Sequence, residues 1–402
     1  MVDQDIDRTL TNPDVRHWLG QRQQALSIAA TTTTPDGQTL DWVPRDSQVT
    51  GGIATPPPAA GTGSEPDQTR GSGDPERPTA SVQFDAGEPG PAGHVPILRP
   101  HLGQVESLEG LRRLQAKRGG LRVNVHRGNK KPTDPSPAGY FHAMSSQSAS
   151  VYGTDGRLNL WDPVVDIPSS PGDDHSISQL WLQNYQTPQV HSVEGGLTVD
   201  HSLNGDGFNY LFTYYTSNGY AKDGDNLGGY NRLEKGWVQY DSSIFPGIRI
   251  NGASAQGGST QLEIGIKFQL YAGNWWFGFS TDESAPWTWL GYYPGTLFAG
   301  GLVNSAQWVG WGGEVYSALA DPCSTTDQMG SGRHAGDGWS YACYQRLIRN
   351  QSDSNGTLEN FSGTAQVDVA ASGCPNDEYT IEAFMNSGSA WGSYQYFGGP
   401  AA

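Results

Sequence analysis

The sequence predicts an all-β protein: an antiparallel β-sandwich preceded by a small mixed α/β segment. Three observations carry this expectation. From about Tyr140 onward, short runs of alternating apolar and polar residues follow one another, separated by Gly, Asn, Asp and Pro clusters. Gly and Pro, 54 and 26 of 402 residues, are too frequent for a mainly helical chain. The apolar residues include 13 Trp, 18 Tyr and 12 Phe, so the core should be aromatic rather than Leu/Ile-rich.

Residues 1–50 open with a helix start at Asn12-Pro13-Asp14, which puts Val15, Trp18 and Leu19 on one face. TTTTPDGQTLDWVPRDSQ follows, a β-prone stretch with a turn at Pro35-Asp36-Gly37. Residues 51–95 are Pro/Gly-rich with few large apolar side chains, and read as an extended or disordered linker. In residues 96–137, VESLEGLRRLQAKR sets Val105, Leu108, Leu111 and Leu114 on one helical face. KKPTDPSPAGY then breaks the chain around Lys130–Tyr140. Residues 138–402 read as strands. QLEIGIKFQLYAG opposes Ile264, Ile266, Phe268 and Leu270 to Glu263, Lys267 and Gln269, and Glu263 reads as solvent-exposed.

The net charge is −17, but it is unevenly placed. Through Asp134 there are 15 Lys/Arg against 16 Asp/Glu; the remainder holds 9 against 25. Such a chain is not expected to bind nucleic acid, and no apolar run approaches the ~20 residues of a membrane helix. A domain this poor in cations suits acid, where its carboxylates are largely neutral, although ordinary solubilising charge explains it equally. The start, MVDQDIDRTL, carries no secretory signal pattern. Cys323, Cys343 and Cys374 allow one disulfide and one free thiol, in any of three pairings.

Nucleophile elbow, zincin, P-loop and dinucleotide motifs are all absent. The nine His have no ligand spacing, and His175, His191 and His201 read as surface residues; no metal or cofactor is expected. Carboxylates remain. Glu194 in HSVEGGLTVD shares a strand face with Thr198, opposite Val193, Leu197 and Val199. Glu314 in QWVGWGGEVYSAL shares a face with Trp308 and Tyr316, opposite Val309, Trp311 and Val315. Each adjoins paired glycines, which in a strand often mark close approach of another group. Aromatic surroundings favour a neutral carboxyl, the state an acid catalyst needs. On spacing alone, a solvent-facing Glu beside a bulge remains open for both.

Taken in order, HSISQLWLQNY, SVEGGLTVD, LFTYYTSNGY, GGYNRLEKGWVQ, GNWWFGF, WLGYYPGTLF, WGGEVYS, QMGSG and WGSYQYFGGP resemble the neprosin-type glutamic peptidases (prolyl endopeptidases) over about Tyr140–Pro400. TPDGQTLDWVPRDSQ resembles that family's activation peptide, which makes 1–50 and 96–137 the two parts of an activation-peptide-like region. The resemblance implies a secreted zymogen with a β-sandwich catalytic domain, acid-active and cutting after proline, with Glu194 and Glu314 as its catalytic pair. It departs from plant members at Gly229 and Glu234, where they carry a Cys pair, and at Tyr215, where a Trp is usual. The 51–91 insert is also longer here. The partners implied are proline-containing peptides and the chain's own propeptide, with a monomer expected.

Two carboxyls in one site hydrolyse a peptide without metal if one is ionised, to activate water, and the other protonated, to donate. Candidate walls for a proline pocket are Trp181, Tyr214, Tyr215, Trp275, Trp276 and Tyr292; core packing is the alternative for each. Ser178 and Gln179 are candidates for orienting a carboxyl. Two rival readings use the same features: a glycoside hydrolase with this carboxylate pair, and a non-catalytic carbohydrate-binding sandwich. Asn350-Gln351-Ser352, Asn355-Gly356-Thr357 and Asn360-Phe361-Ser362 are glycosylation sequons, which in a eukaryotic secretory host would mark one exposed loop.

Overall fold

The computed structural model describes residues 12–58, 82–84, 86–102, 105, 107–115, 117, 139–166, 174–185, 189–220, 227–281, 283, 285–369, 374, 378–388 and 390–400. Most of the Pro/Gly-rich 51–95 segment and nearly all of the Lys130–Tyr140 breaker lie outside these residues.

Two antiparallel sheets stack face to face. In the first, seven strands run in the order Gly228–Tyr230, Tyr210–Thr216, His191–Asp200, His175–Asn184, Ala306–Tyr316, Tyr140–Val151, Thr364–Val369. The second is built on Thr288–Pro294, Asn274–Ser280, Glu263–Tyr271, Gly153–Asn159 and Cys343–Gln351, flanked by shorter strands. Alternation along each strand sends one set of side chains between the sheets. Val193, Leu197, Val309 and Trp311 meet Ile264, Ile266, Phe268 and Phe277 there. Each such side chain contributes roughly 1.5–3 kcal/mol by leaving water. The fold class is therefore all-β, as expected. The core itself differs from expectation, because Leu and Ile share it with the rings.

The exposed reading of Glu263 is wrong. It is 3 % exposed and takes bonds of 2.9 and 2.6 Å from the Arg346 guanidinium. The outer face of the second sheet is covered near this strand's start, so alternation against apolar residues there marked a buried ion pair. The sequons do not form one exposed loop either. Asn350 is buried in the strand Cys343–Gln351 and donates to Gln147 at 3.0 Å; Asn355 and Asn360 are exposed. Cys323 and Cys374 are joined, and Cys343 is a buried free thiol.

The N-terminal third packs on the sandwich. The helix Pro13–Gln24 starts where Asn12 caps the amides of Asp14 and Val15. The turn at Pro35–Gly37, with Gly37 at φ +91°, joins Ala30–Thr33 to Thr39–Pro44, and His94–Leu98 adds a third strand. A second helix spans Leu108–Gln115. Its Leu111 and Leu114, with Val15 and Leu19, pack on Ile177, Phe212, Tyr214 and Tyr230. Leu108, expected on that buried face, is 38 % exposed. These partners belong to the outer face of the seven-stranded sheet, so the helices lie over the face to which Glu194 and Glu314 point.

Candidate active site

Strand register places the two glutamates on one face. Glu194 pairs across with Trp181 and Tyr214, whereas Glu314 pairs with Ile177 and His142. Between those rows lies Gly196–Gln179–Gly312, a floor with a single side chain, Gln179. A Cβ on Gly196 would run into the carbonyl oxygen of Ser178, and one on Gly312 into that of Ala143. The glycines thus permit the strands to crowd together beneath the pair. Their neighbours Gly195 and Gly313 face inward, against Phe277 and against Met329 and Phe397.

Both carboxylates are fully buried and converge on one atom. Lys117 Nζ, from just beyond the second helix, lies 2.7 Å from Glu194 Oε2 and 3.1 Å from Glu314 Oε2, with all three side chains at 0 % exposure. The two oxygens can be no farther apart than the sum of those distances, 5.8 Å. The ammonium also sits 5.6 Å from the Trp181 ring and 6.0 Å from that of Tyr214. Gln115 anchors the same segment by donating to Glu234. Glu234 in turn lies against Gly229, so the two positions that carry a Cys pair in plant members are neighbours here.

The two glutamates have different surroundings. Glu194 Oε1 accepts from Ser192 Oγ at 2.9 Å and from the Tyr220 hydroxyl. Burial and then the Glu194 charge raise the Tyr220 pKa well above the ordinary phenol value, so its proton stays in place as a donor. Glu314 Oε1 accepts from His175 Nε2 at 3.1 Å; Oε2 accepts from His142 Nε2 at 3.1 Å and Gln179 Nε2 at 3.2 Å. Burial alone would push the Glu314 pKa up. The Lys117 charge, then the hydrogen bonds from His142 and His175, outweigh it and hold this carboxyl well below the usual range.

Of the eight candidate lining and orienting residues, the sheet brings three to the carboxylates: Trp181, Tyr214 and Gln179. The other five lie elsewhere, for reasons of register. Tyr215 and Trp275 face the core between the sheets, where they bond the Lys235 and Leu302 carbonyls. Trp276 and Tyr292 pack with Val238 and Trp289 in a separate cluster, and the Tyr292 hydroxyl accepts from the Ala54 amide. Ser178 points away from the carboxylates and takes a bond from Gln345. His175, expected at the surface, is buried at 3 % exposure. Sequence reasoning also passed over His142, Tyr220, Ser192 and Lys117. A signal existed for His142 and for His175. In HSISQLW the alternation places His175 on the face of Gln179 and Trp181, and His142 interrupts the apolar run of YFHAM.

Residues 172–400 match the sequence model of the family described as Neprosin. The chain belongs to the neprosin family. It is accordingly a peptidase. Among solved structures, this neprosin-family chain is similar to a scytalido-glutamic peptidase crystallised with a transition state analog inhibitor. That likeness has 11 % identity and a TM-score of 0.34, over 65 % of this chain and 97 % of the other. It is also similar to a functionally unknown protein from Saccharomyces cerevisiae, with 9 % identity and a TM-score of 0.21, over 43 % and 63 % of the two chains. A third is a β-porphyranase from the human gut bacterium Bacteroides plebeius, with 9 % identity and a TM-score of 0.16, over 51 % and 68 %. At that level of likeness none of the three adds to the family assignment. Among the described residues of this neprosin-family peptidase, no three or more His, Cys, Asp or Glu gather as a metal-ligand set.

Proposed function

We propose that the protein is an acid-active glutamic endopeptidase that cuts after proline, made as a secreted zymogen that processes itself. The observation that carries this reading is the convergence of Glu194 and Glu314, both buried, on the single ammonium of Lys117. With the ammonium withdrawn, the place it leaves between the carboxylates is where a water and the carbonyl it attacks would bind. Glu314 is the base: with Lys117 gone, the hydrogen bonds from His142, His175 and Gln179 still favour its ionised form, so it takes a proton from water as the oxygen adds to the peptide carbon. Like charges this close disfavour double ionisation once the ammonium leaves, so the proton of the pair resides on Glu194. Glu194 donates it to the carbonyl oxygen, Glu314 passes the proton it took from water to the nitrogen as the C–N bond breaks, and a hydroxyl proton of the collapsing intermediate returns to Glu194, while Tyr220 and Ser192 fix its orientation. The slot between Trp181 and Tyr214 that the ammonium faces supports the proline preference, because aromatic walls suit a compact ring without an N–H.

Residues 1–50 and 96–137 act as the propeptide and 138–402 as the catalytic domain. With Lys117 seated, its ammonium bridges the two carboxylates; with it withdrawn, one of the crowded pair takes up a proton. The seated form binds fewer protons, so it loses ground as pH falls through the pKa of the freed pair. Acid thus opens the site, and the enzyme cuts itself between about Pro132 and Tyr140, and also within the Pro-rich 51–91 segment; most of both regions lies outside the described residues. The Cys323–Cys374 disulfide supports an oxidising, extracellular compartment. The test is mass spectrometry of the full chain shifted to acid, with a proline-containing peptide and a chelator added. Self-trimming and cuts after proline that survive chelation are expected. A chain that becomes active at full length, or a Glu194→Gln chain that matures unaided at the same rate, overturns self-processing.

A further inference from the structure

Glu314 must remain a carboxylate after Lys117 has gone, at a pH where buried carboxyls tend to be protonated. Among the described residues, the groups that bond it directly besides Lys117 are His142, His175 and Gln179. The two imidazoles are not equivalent. His142 Nε2 donates to Glu314, and among the described residues its buried Nδ1 has no hydrogen-bond partner, so this ring makes one bond where it sits. His175 Nε2 donates to the other carboxylate oxygen, and Asp200 stands near enough to add a second negative field.

We infer that His175 is the counter-ion of Glu314 in the working enzyme, a positioning residue whose charge takes over from Lys117 and keeps the base ionised, with His142 as a second hydrogen-bond donor beside it. The inference rests on the reading of Glu314 as the base. Burial draws the His175 pKa down, but the Glu314 bond and charge and the Asp200 charge outweigh it and raise it, and Lys117 opposes them only while seated. Tyr140 and Tyr316 pack on the His175 ring. Tyr140 and Trp181 flank His142, and Asp368 lies opposite it in the register of the edge strand. Tyr230, whose buried hydroxyl has no partner among the described residues, lies within the field of both glutamates and stays protonated, because burial and the Glu314 charge raise its pKa well above the phenol value.

The charge of His175 should therefore set the acid limb of turnover. His175→Gln keeps a donor and removes the charge. Its acid limb in kcat should move to higher pH by about one unit, with kcat at the optimum down about tenfold and KM little changed. His142→Gln should lower kcat without moving that limb. An unmoved limb in folded His175→Gln, or an equal shift in His142→Gln, overturns the inference. Should His175→Gln fail to fold, nitrogen-15 NMR of the imidazoles in the full-length chain decides it. His175 should titrate above the ordinary range, and its pKa should fall in Glu314→Gln; a titration indifferent to that substitution refutes the pairing. Loss of this claim is separable from loss of the dyad, because an active Glu314→Gln enzyme removes the base itself.

Discussion

Lys117, at the site, and Glu263, in the opposite sheet, are both buried. Lys117 lies in the basic stretch LRRLQAKRGGLRVNVHRGNKK, whose charge suits docking on the acidic domain through ion pairs; that this lysine is 0 % exposed follows from tertiary packing that no local pattern encodes. Removing its charge leaves two buried carboxylates with no ammonium, a loss of about 3–5 kcal/mol by analogy with broken buried pairs. Lys117→Met should therefore mature at higher pH than the parent, by about one unit or more. A maturation pH that does not move, followed on denaturing gels, contradicts the latch. Glu263 teaches the reverse lesson. Its alternation suggested an exposed residue, yet it neutralises Arg346, which is itself 0 % exposed. Glu263→Gln should lose about 3 kcal/mol in urea unfolding with the catalytic groups untouched. An unchanged midpoint would mean the pair contributes nothing.

At the scale of elements, much was legible. The face assignments of Glu194 and Glu314 follow from period-two alternation, and the start of the helix Pro13–Gln24 from its Asn cap and Pro. Strand partners were not legible, because pairing is non-local. Only the order of strands puts Trp181 and Tyr214 beside Glu194 while sending Trp276 and Tyr292 to a different sheet. The paired glycines mark close approach of other groups, as their place within strands suggested, and those groups are the protein's own: Gly196 and Gly312 let neighbouring backbones close up under the carboxylates, and Gly195 and Gly313 admit core side chains. Gly312→Ala presses a methyl group into the Ala143 carbonyl. It should cost about 1–3 kcal/mol and displace Gln179 from Glu314, lowering turnover along with the melting temperature. Wild-type turnover in a folded Gly312→Ala enzyme would show that the floor is not tightly coupled to the base.

For the whole molecule, charge is the relevant quantity. Beyond Asp134 the chain carries 25 acidic and 9 basic residues, so at neutral pH the catalytic domain repels itself. Such repulsion raises carboxyl pKa values in the folded state, which gives stability that is present in acid and lost as pH rises through them. Asp155, pushed up to about 6 by burial against the opposing pull of Lys267 and Arg157, shows that sign in one group. The acid-matured protein should accordingly melt at a higher temperature near pH 5 than near pH 7.5, and added salt should narrow the gap. A higher melting temperature at pH 7.5 would mean that specific ion pairs outweigh the general repulsion.

The central claim is that Glu194 and Glu314 together perform the hydrolysis. Its most direct test is the rate at which acid-treated Glu194→Gln and Glu314→Gln proteins, matured in trans by the parent enzyme and then purified from it, cleave a proline-containing peptide at acid pH. Both should retain the parent's circular dichroism and lose activity by about a thousandfold or more, as expected when a proton-transfer group is removed from a buried site. Cleavage by either variant at a rate near that of the parent would contradict the account.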